Sequence, residues 1–408
     1  MSARVAGHRL GCTGRSLRTE HTFDVTGIVL CPRANAVELT LTTGAHDDLP
    51  AVTAGYENER GRVQWRVHQA LACAGQGGIS AMSTAAPDPA TVEPVLTLTM
   101  NPTVDICWDV DHLADIGKNR ARVSFVAGGG GGINVARGVV RFGGRATAVH
   151  TAGREVGCRL NRLLDEEGID HIAVDIDDET REAFVLFEIE SRRSHHIVPP
   201  GPHLDDQEGR RCLDVLRQAI GTSRYVVASG SLPGGLPDDF YTAVARRAKA
   251  DGCRMVLDTS GPALRQALTE GVFLIRTSRT EAADLLGRPV RGFDDALAVN
   301  EQLLAMGAAE IAITTIGDLG ALCSTRHGHT ELRTPSLPGG LLSDAGAGDS
   351  MVAALTVRLA AGDDPVSACA LGVAVAAASV LTPGTEPFDR RLAESLCPDV
   401  GITFRTSS

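Results

Sequence analysis

The chain has 408 residues, 43% of them hydrophobic and 22% charged, which is enough apolar material for one large core or two ordinary ones. A net charge of −11 without a long Lys/Arg run argues against a nucleic-acid-binding surface, although a local basic pocket can still take a small anion. Ten cysteines scattered without a CxxC or CxxxC pair argue against a disulfide framework or a zinc site and suit a reducing cytoplasm.

Residues 1–93 show no clear alternation of strand and helix. They mix polar, Gly and Ala stretches such as ACAGQGGISAMSTAAPDPATVEP and are expected to form a poorly ordered extension. The start lacks an apolar core followed by a small-residue cleavage site, so no signal peptide is read. Met82 stands just before the ordered pattern. One hypothesis is that translation starts there, leaving residues 1–81 out of the native product; peptides from 1–81 at full abundance in mass spectra of the native protein would reject it.

From VLTLTM onward, short β-rich runs alternate with helical patterns. Strands are predicted at Val95–Met100, Ala146–Ala152, His171–Ile176, Ala183–Ile189, Tyr225–Ser229, Arg254–Asp258, Val272–Arg276 and Glu310–Thr315. Helices are predicted at Ile133–Phe142, Cys158–Glu167, Asp206–Ile220, Pro237–Ala250, Arg279–Leu286, Asp294–Met306, Asp349–Ala361 and Pro365–Leu381. Strands separated by helices imply right-handed crossovers and a mainly parallel sheet covered on both faces.

Two segments break this rhythm, about 103–127 and 180–201. The second, TREAFVLFEIESRRSHHIVPPG, reads as a two-stranded hairpin with SRR at its turn. Together they can form a small projecting sheet, a lid that excludes water from a transfer reaction. His195 and His196 are neighbours on a strand and point to opposite faces, so they do not make a metal pair. The apolar run Val366–Thr382 is short, rich in Ala and bounded by AGDDP and PGTEP, and reads as a buried helix rather than a membrane span. Residues 397–408 are read as a C-terminal tail.

Two glycine-rich loops precede helical patterns. In the first, Gly128–Gly132, the dinucleotide fingerprint fails because its last glycine would fall on Ile133, and the phosphate-loop motif fails for want of a following Lys. What remains is a tight strand–helix turn, or a close approach of bare backbone to a ligand beside Asn134. In the second, Gly346, Ala347 and Gly348 lead into Asp349. Asp349 is open to two readings. It can cap the helix through its side-chain oxygen, or it can serve as a base beside an anion hole of backbone N–H groups.

GGGGINVAR together with GAGDSM resembles the ribokinase-like sugar kinases, in the phosphofructokinase B branch. The likeness continues in order through LTLTMNPTVDI, GKNR, TRE, VVASGSLPGGLP, LDTSGPAL, TTIGDLGAL and LTPGTE, and covers about residues 94–396. The four-glycine loop, SGSLP and GAGDSM are most similar to type-B 6-phosphofructokinases, with fructose-1-phosphate and tagatose-6-phosphate kinases as near neighbours. The resemblance implies a ribokinase-like three-layer α/β/α sandwich with a mainly parallel central sheet and a small β lid. It implies an ATP-dependent, magnesium-requiring cytoplasmic kinase of a sugar phosphate, fructose 6-phosphate first, and a homodimer through the β lid, with no nucleic-acid or membrane partner. A tagatose-6-phosphate or fructose-1-phosphate kinase is the alternative within the class, and a non-catalytic sugar-phosphate-binding regulator the alternative outside it.

The same resemblance implies roles. Asp349 would be the general base, and the N–H groups of Gly346, Ala347 and Gly348 would hold charge on the transferring phosphoryl. Asp105, Gly131, Gly132 and Asn134 would face sugar hydroxyls, and Lys118, Arg120 and Arg181 a phosphate already on the substrate. Arg276, Ser278, Thr315 and Gly317, with Gly348, would serve ATP, and Glu281 would organise Mg2+ through water. The stretch RTSRTE, Arg276 to Glu281, departs from the usual K-P-N/xxE pattern: Arg stands for Lys and Ser278 for Asn. Altered magnesium or ATP affinity is expected from this, rather than loss of activity.

Overall fold

The computed structural model describes residues 92–337, 342–343, 345–382 and 387–405, together with six strands between 24 and 67. The chain divides into two compact units, Met1–Ser80 and Ala81–Ser408. In the first, Asp24–Leu30 pairs antiparallel with Val37–Thr42, Ala54–Gly55 with Arg66–Val67, and Asn58–Glu59 with Arg62–Val63. The expectation of a poorly ordered extension falls mostly outside the described residues, as does Met82.

In the second unit the chain lays down β1 (Val95–Thr99), β2 (Thr103–Val110) and β3 (Arg122–Gly129), then α1 (Gly131–Arg141), β4 (Ala146–Gly153), α2 (Arg154–Glu167) and β5 (Asp170–Ile176). A hairpin of β6 (Arg181–Glu188) and β7 (Arg193–Ile197) follows, then α3 (Asp206–Ala219), β8 (Tyr225–Ser229), α4 (Phe240–Ala250), β9 (Arg254–Asp258), α5 (Gly261–Ala267) and β10 (Val272–Thr277). The last third holds α6 (Arg279–Leu286), α7 (Phe293–Ala305), β11 (Ala309–Thr315), the hairpin β12 (Gly320–Thr325) and β13 (Gly328–Arg333), α8 (Ala347–Ala360), α9 (Pro365–Ser379), α10 (Arg390–Leu396) and β14 (Gly401–Arg405). Local chemistry starts several helices: α3 and α6 open on capping boxes, Asp205 with Glu208 and Ser278 with Glu281. In α9, Asp364 caps a first turn that begins with Pro365.

The main sheet has the order β5-β4-β1-β8-β9-β10-β11-β12-β13-β14. From β5 to β11 in that order every pair is parallel; β12, β13 and β14 add on antiparallel. Parallel strands are apolar on both sides because helices cover both faces. On β8, Tyr225 and Val227 turn into one core with α1, α2, α8, α9 and α10, while Val226 and Ala228 turn into the other with α3 to α7. The result is a three-layer α/β/α sandwich with a mainly parallel sheet. The two interrupting segments pair into a second sheet of order β7-β6-β2-β3, the small β lid, in which β6 runs parallel to β2. Val104 and Ile106 root the lid in the core that holds α1 and α8.

Some elements differ from the sequence-based expectation. Residues 397–408, read as a tail, supply β14, which pairs with β13 at the sheet edge. Strands β12 and β13 and helices α5 and α10 are also additional; each is short, and the strands take their shape from the pairing β11-β12-β13 rather than from a strong local pattern. The run Val366–Thr382 forms α9, buried along most of its length. Among the described residues no helix is long and apolar enough to cross a membrane.

Candidate active site

The chain enters the sheet at β1, builds outward to β5, and returns on the other side of β1 as β8. Such a reversal leaves a crevice at the carboxyl ends of the two strands. Helices α1 and α8 both begin there. The five glycines that lead into and begin α1 let it seat directly on the strand ends: a Cβ on Gly131 would fall 2.2 Å from the Ser229 hydroxyl, and one on Gly132 would fall 2.5 Å from that of Thr99. Likewise Gly128 abuts Leu160 and Gly129 abuts Asp105. The bareness of this loop therefore serves close packing within the protein. Gly346 is different. It takes a φ of 73°, and an added Cβ there would meet nothing within 4 Å among the described residues.

Gly346 is the N-cap of α8, which places Asp349 third inside the helix, with no cap bond from any side chain among the described residues. The capping reading of Asp349 is thereby set aside. Its carboxylate turns into the crevice, where Oδ2 accepts from Asn134 Nδ2 at 2.9 Å and Oδ1 from Ser229 Oγ at 3.2 Å. The first N–H groups of α8, at Ala347 and Gly348, have no helical carbonyl to bind and carry the positive end of the helix dipole. A carboxylate and a bare anion-binding helix start thus share one corner.

Electrostatics tune that carboxylate. Lost hydration, reinforced by the Asp258 carboxylate, pushes the Asp349 pKa from 3.8 up to about 7, against the pull of Asn134, Arg276 and Ser229. A carboxyl poised near neutrality is suited to take a proton at physiological pH. Arg276 lies against Gly348, where a Cβ would come 2.7 Å from its guanidinium. The same guanidinium reaches Asp258 at 3.3 Å and Thr315 Oγ1 at 2.9 Å. Asp258, Arg276 and Thr315 stand at the ends of β9, β10 and β11, so the row of strand ends brings one cation beside the helix start.

A second set of polar groups gathers at the lid's roots. Register pairs Thr103 with both Gly129 and Arg181, so Asp105 and Arg181 stand on adjacent strands. Burial pushes the Asp105 pKa up to about 6, moderated by Arg137, Arg181 and Thr103. Arg181 is aimed by two carbonyls, Asn101 at 3.0 Å and Pro199 at 3.3 Å, and its buried Nε has no partner among the described residues. Lys118 and Arg120 are not brought to this place. Both are exposed in the loop beyond Val110, and Val110 itself is about 16 Å along the strand from Asp105.

Past Arg276, Ser278 and Glu281 bind each other's backbone: the Ser278 N–H donates to Glu281 Oε2 at 2.6 Å, and the Glu281 N–H to Ser278 Oγ at 3.3 Å. Gly317 opens the turn after β11 at a φ of 59°, beside the Arg279 guanidinium. The motif LTPGTE falls largely on 383–386, outside the described residues. Sequence reading missed Ser229, Asp258 and Arg137 as site groups. The first two carry a usable signal, a polar residue closing an apolar parallel strand where ligands bind; Arg137 has only its place three residues after Asn134.

Comparison with known proteins identifies the family. The model of the pfkB family carbohydrate kinases matches residues 98–390. The ATP-dependent 6-phosphofructokinase isozyme 2 of Mycobacterium tuberculosis is 40% identical over 296 residues, 72% of this chain and 86% of that protein. The isozyme 2 of Escherichia coli is 32% identical over 292 residues, 71% of this chain and 94% of that protein. A solved structure of phosphofructokinase-2 from Escherichia coli, in complex with substrates and products, superposes with a TM-score of 0.70 at 30% identity, over 75% of this chain and 98% of that one. Sequence motifs, sheet order and the carboxylate at the glycine-lined helix start all lead to one assignment: the chain belongs to the pfkB family of carbohydrate kinases.

Proposed function

We propose that the protein transfers the γ-phosphoryl of ATP to a hydroxyl of a sugar phosphate, with fructose 6-phosphate as acceptor and fructose 1,6-bisphosphate as product. The observation that carries this is Asp349, held by Asn134 and Ser229 at the open start of α8. The acceptor O–H bond breaks toward the Asp349 carboxylate as the oxygen bonds to phosphorus, and the bond from phosphorus to the ADP oxygen breaks. Ala347 and Gly348 offer N–H groups to the equatorial oxygens, and Arg276 adds positive charge beside them. General-base help of this kind is worth about 10²–10⁴ in rate.

Asp105 and Asn134 fit the sugar hydroxyls, with Gly131 and Gly132 holding α1 close to them. Arg181 fits the existing phosphate. Ser278, Thr315 and Gly317 fit the nucleotide. Among the described residues no cluster could hold a metal by itself, which suits Mg2+ arriving with the nucleotide phosphates, since that ion takes few protein ligands. Asp258 and Glu281, both facing Arg276, are hard oxygen donors that fit it, Glu281 through water. When bound, the ion would neutralise charge on the phosphate oxygens.

A homodimer through the lid belongs to the same proposal. Val123, Ile189, Ile197 and Val198 are exposed apolar residues of the lid segments, and Ile116 at the lid tip is 92% exposed; apolar surface of this kind favours a partner. Lys118 and Arg120, remote from their own chain's site, would meet a phosphate only in a second copy. Among the described residues no disulfide joins the seven cysteines, which suits a reducing cytoplasm.

The test is ADP release by purified protein with ATP, Mg2+ and a panel of sugar phosphates, alongside Asp349→Asn. Turnover of fructose 6-phosphate that collapses in the variant is the expected result. Preference for tagatose 6-phosphate or fructose 1-phosphate would change the acceptor, preference for an unphosphorylated sugar would defeat the phosphate site, and no turnover above the variant would favour a binding regulator.

A further inference from the structure

Arg137 lies nearly two turns into α1, one turn beyond Asn134 on the same face, and its side chain is 11% exposed. Every edge of its guanidinium is used. Nε and Nη2 donate to Glu167 Oε2 and Oε1 at 2.5 and 3.0 Å, a two-point clasp to the end of α2. Nη2 also donates to the carbonyl of Gly128, at the start of the glycine run. Nη1 donates to Asn134 Oδ1 at 2.7 Å.

The last bond has a chemical consequence. Guanidinium has five donors and no acceptor, so only the amide oxygen of Asn134 can face it. The NH₂ group must then face the other way, where it meets Asp349 Oδ2 at 2.9 Å. Turned over, Asn134 would set an amide oxygen against a carboxylate and an NH₂ against a cation, two repulsions in place of two charge-assisted bonds. Arg137 thus decides which end of the amide meets the carboxylate.

We propose that Arg137, clasped by Glu167, is a positioning residue for the phosphoryl transfer: it fixes the orientation of the Asn134 amide and, through it, the Asp349 carboxylate. The inference rests on Asp349 being the base. Arg137 touches no reacting atom, yet its loss frees the amide to rotate, and Asp349 then loses one of its two fixed hydrogen bonds. The other charged groups facing Asp349 are Asp258 at the end of β9 and Arg276 on β10, and neither contacts Arg137.

The experiment compares wild type, Arg137→Lys, Glu167→Gln and Asp349→Asn in steady-state kinetics from pH 6 to 9. Lys keeps the positive charge that Asp105 feels but cannot hold Glu167, Gly128 and Asn134 at once. Arg137→Lys is expected to lower kcat about tenfold to a hundredfold, the range for a lost charge-assisted hydrogen bond, with KM for the sugar phosphate little changed. The acid limb of kcat moves to higher pH, because a carboxylate that loses a donor binds its proton more tightly. Glu167→Gln, remote from the crevice and part-exposed, gives a smaller change of the same kind. The effects of the two substitutions combined in one chain are less than additive, since both act through one guanidinium. Added guanidinium ion restores part of the kcat of Arg137→Ala.

A merely structural role would lower the melting temperature and leave kcat per folded molecule and the acid limb in place; that result, in either Arg137→Lys or Glu167→Gln, overturns the proposal. Should Arg137→Lys fail to fold, Glu167→Gln decides alone by the same criteria. An active Asp349→Asn would instead refute the base itself, so the two failures are distinct.

Discussion

Asp349→Asn should make the protein more stable and nearly inactive at once. Raising the pKa of a folded carboxyl from 3.8 to about 7 means the folded state binds a proton that the unfolded chain gives up. Stability therefore falls as pH climbs from about 4 to about 7 and stays low above that range. At about 1.36 kcal/mol per pH unit, three units amount to roughly 4 kcal/mol of penalty at pH 8. Asp349 keeps part of its surface open to the crevice, and the asparagine must turn its NH₂ toward either Asn134 or Ser229, each of which donates to the native carboxylate, so one of those bonds is lost or must reverse. These reduce the net gain to about 2 kcal/mol. For a unit of this size that is a rise in Tm of about 3 °C at pH 8, shrinking to nothing or reversing near pH 4. The same variant should lose about 10²–10⁴ in kcat while still binding the sugar phosphate. Calorimetric scans of both proteins from pH 4 to 8, with ADP release measured in parallel, check the two halves together. A stability difference that does not change with pH would refute the buried, proton-holding carboxyl; normal turnover would refute its role as base.

Other outcomes follow from the same geometry. In the unaltered protein kcat should drop about tenfold per pH unit below neutrality as Asp349 takes up its proton, and a flat profile down to pH 5.5 would place the base elsewhere. Arg181→Ala should raise KM for the sugar phosphate about tenfold or more with little change in kcat, and an unchanged KM removes Arg181 from the phosphate site. In Gly131→Ala the new methyl would fall 2.2 Å from the Ser229 hydroxyl and 2.8 Å from its backbone carbon; a loss of about 1–3 kcal/mol by denaturant titration, with lower kcat, is expected. Ile197→Asp on the exposed lid surface should give monomers in sedimentation if the lid pairs, and an unchanged assembly would move the interface elsewhere.

Much of the architecture is local in origin and so could be read from the chain alone. The parallel strands β1, β8 and β9 are short apolar runs, α6 begins on a self-contained capping box, and the two glycine motifs announce themselves by composition. Tertiary structure decided the rest. Whether Asp349 caps its own helix or faces the crevice depends on Gly346 taking the cap and on Asn134, 215 positions away, supplying a hydrogen bond. The glycines that lead into and begin α1 are bare because Ser229 and Thr99 stand behind two of them, which no local pattern encodes. Lys118 and Arg120 sit in sequence beside the lid residues of the site, yet extended strands carry them away from it. Helix starts and turns are settled by neighbours a few residues apart, within reach of backbone hydrogen bonds. The site is settled by which strand ends and helix starts the sheet order brings together, and that is fixed only when distant segments pack.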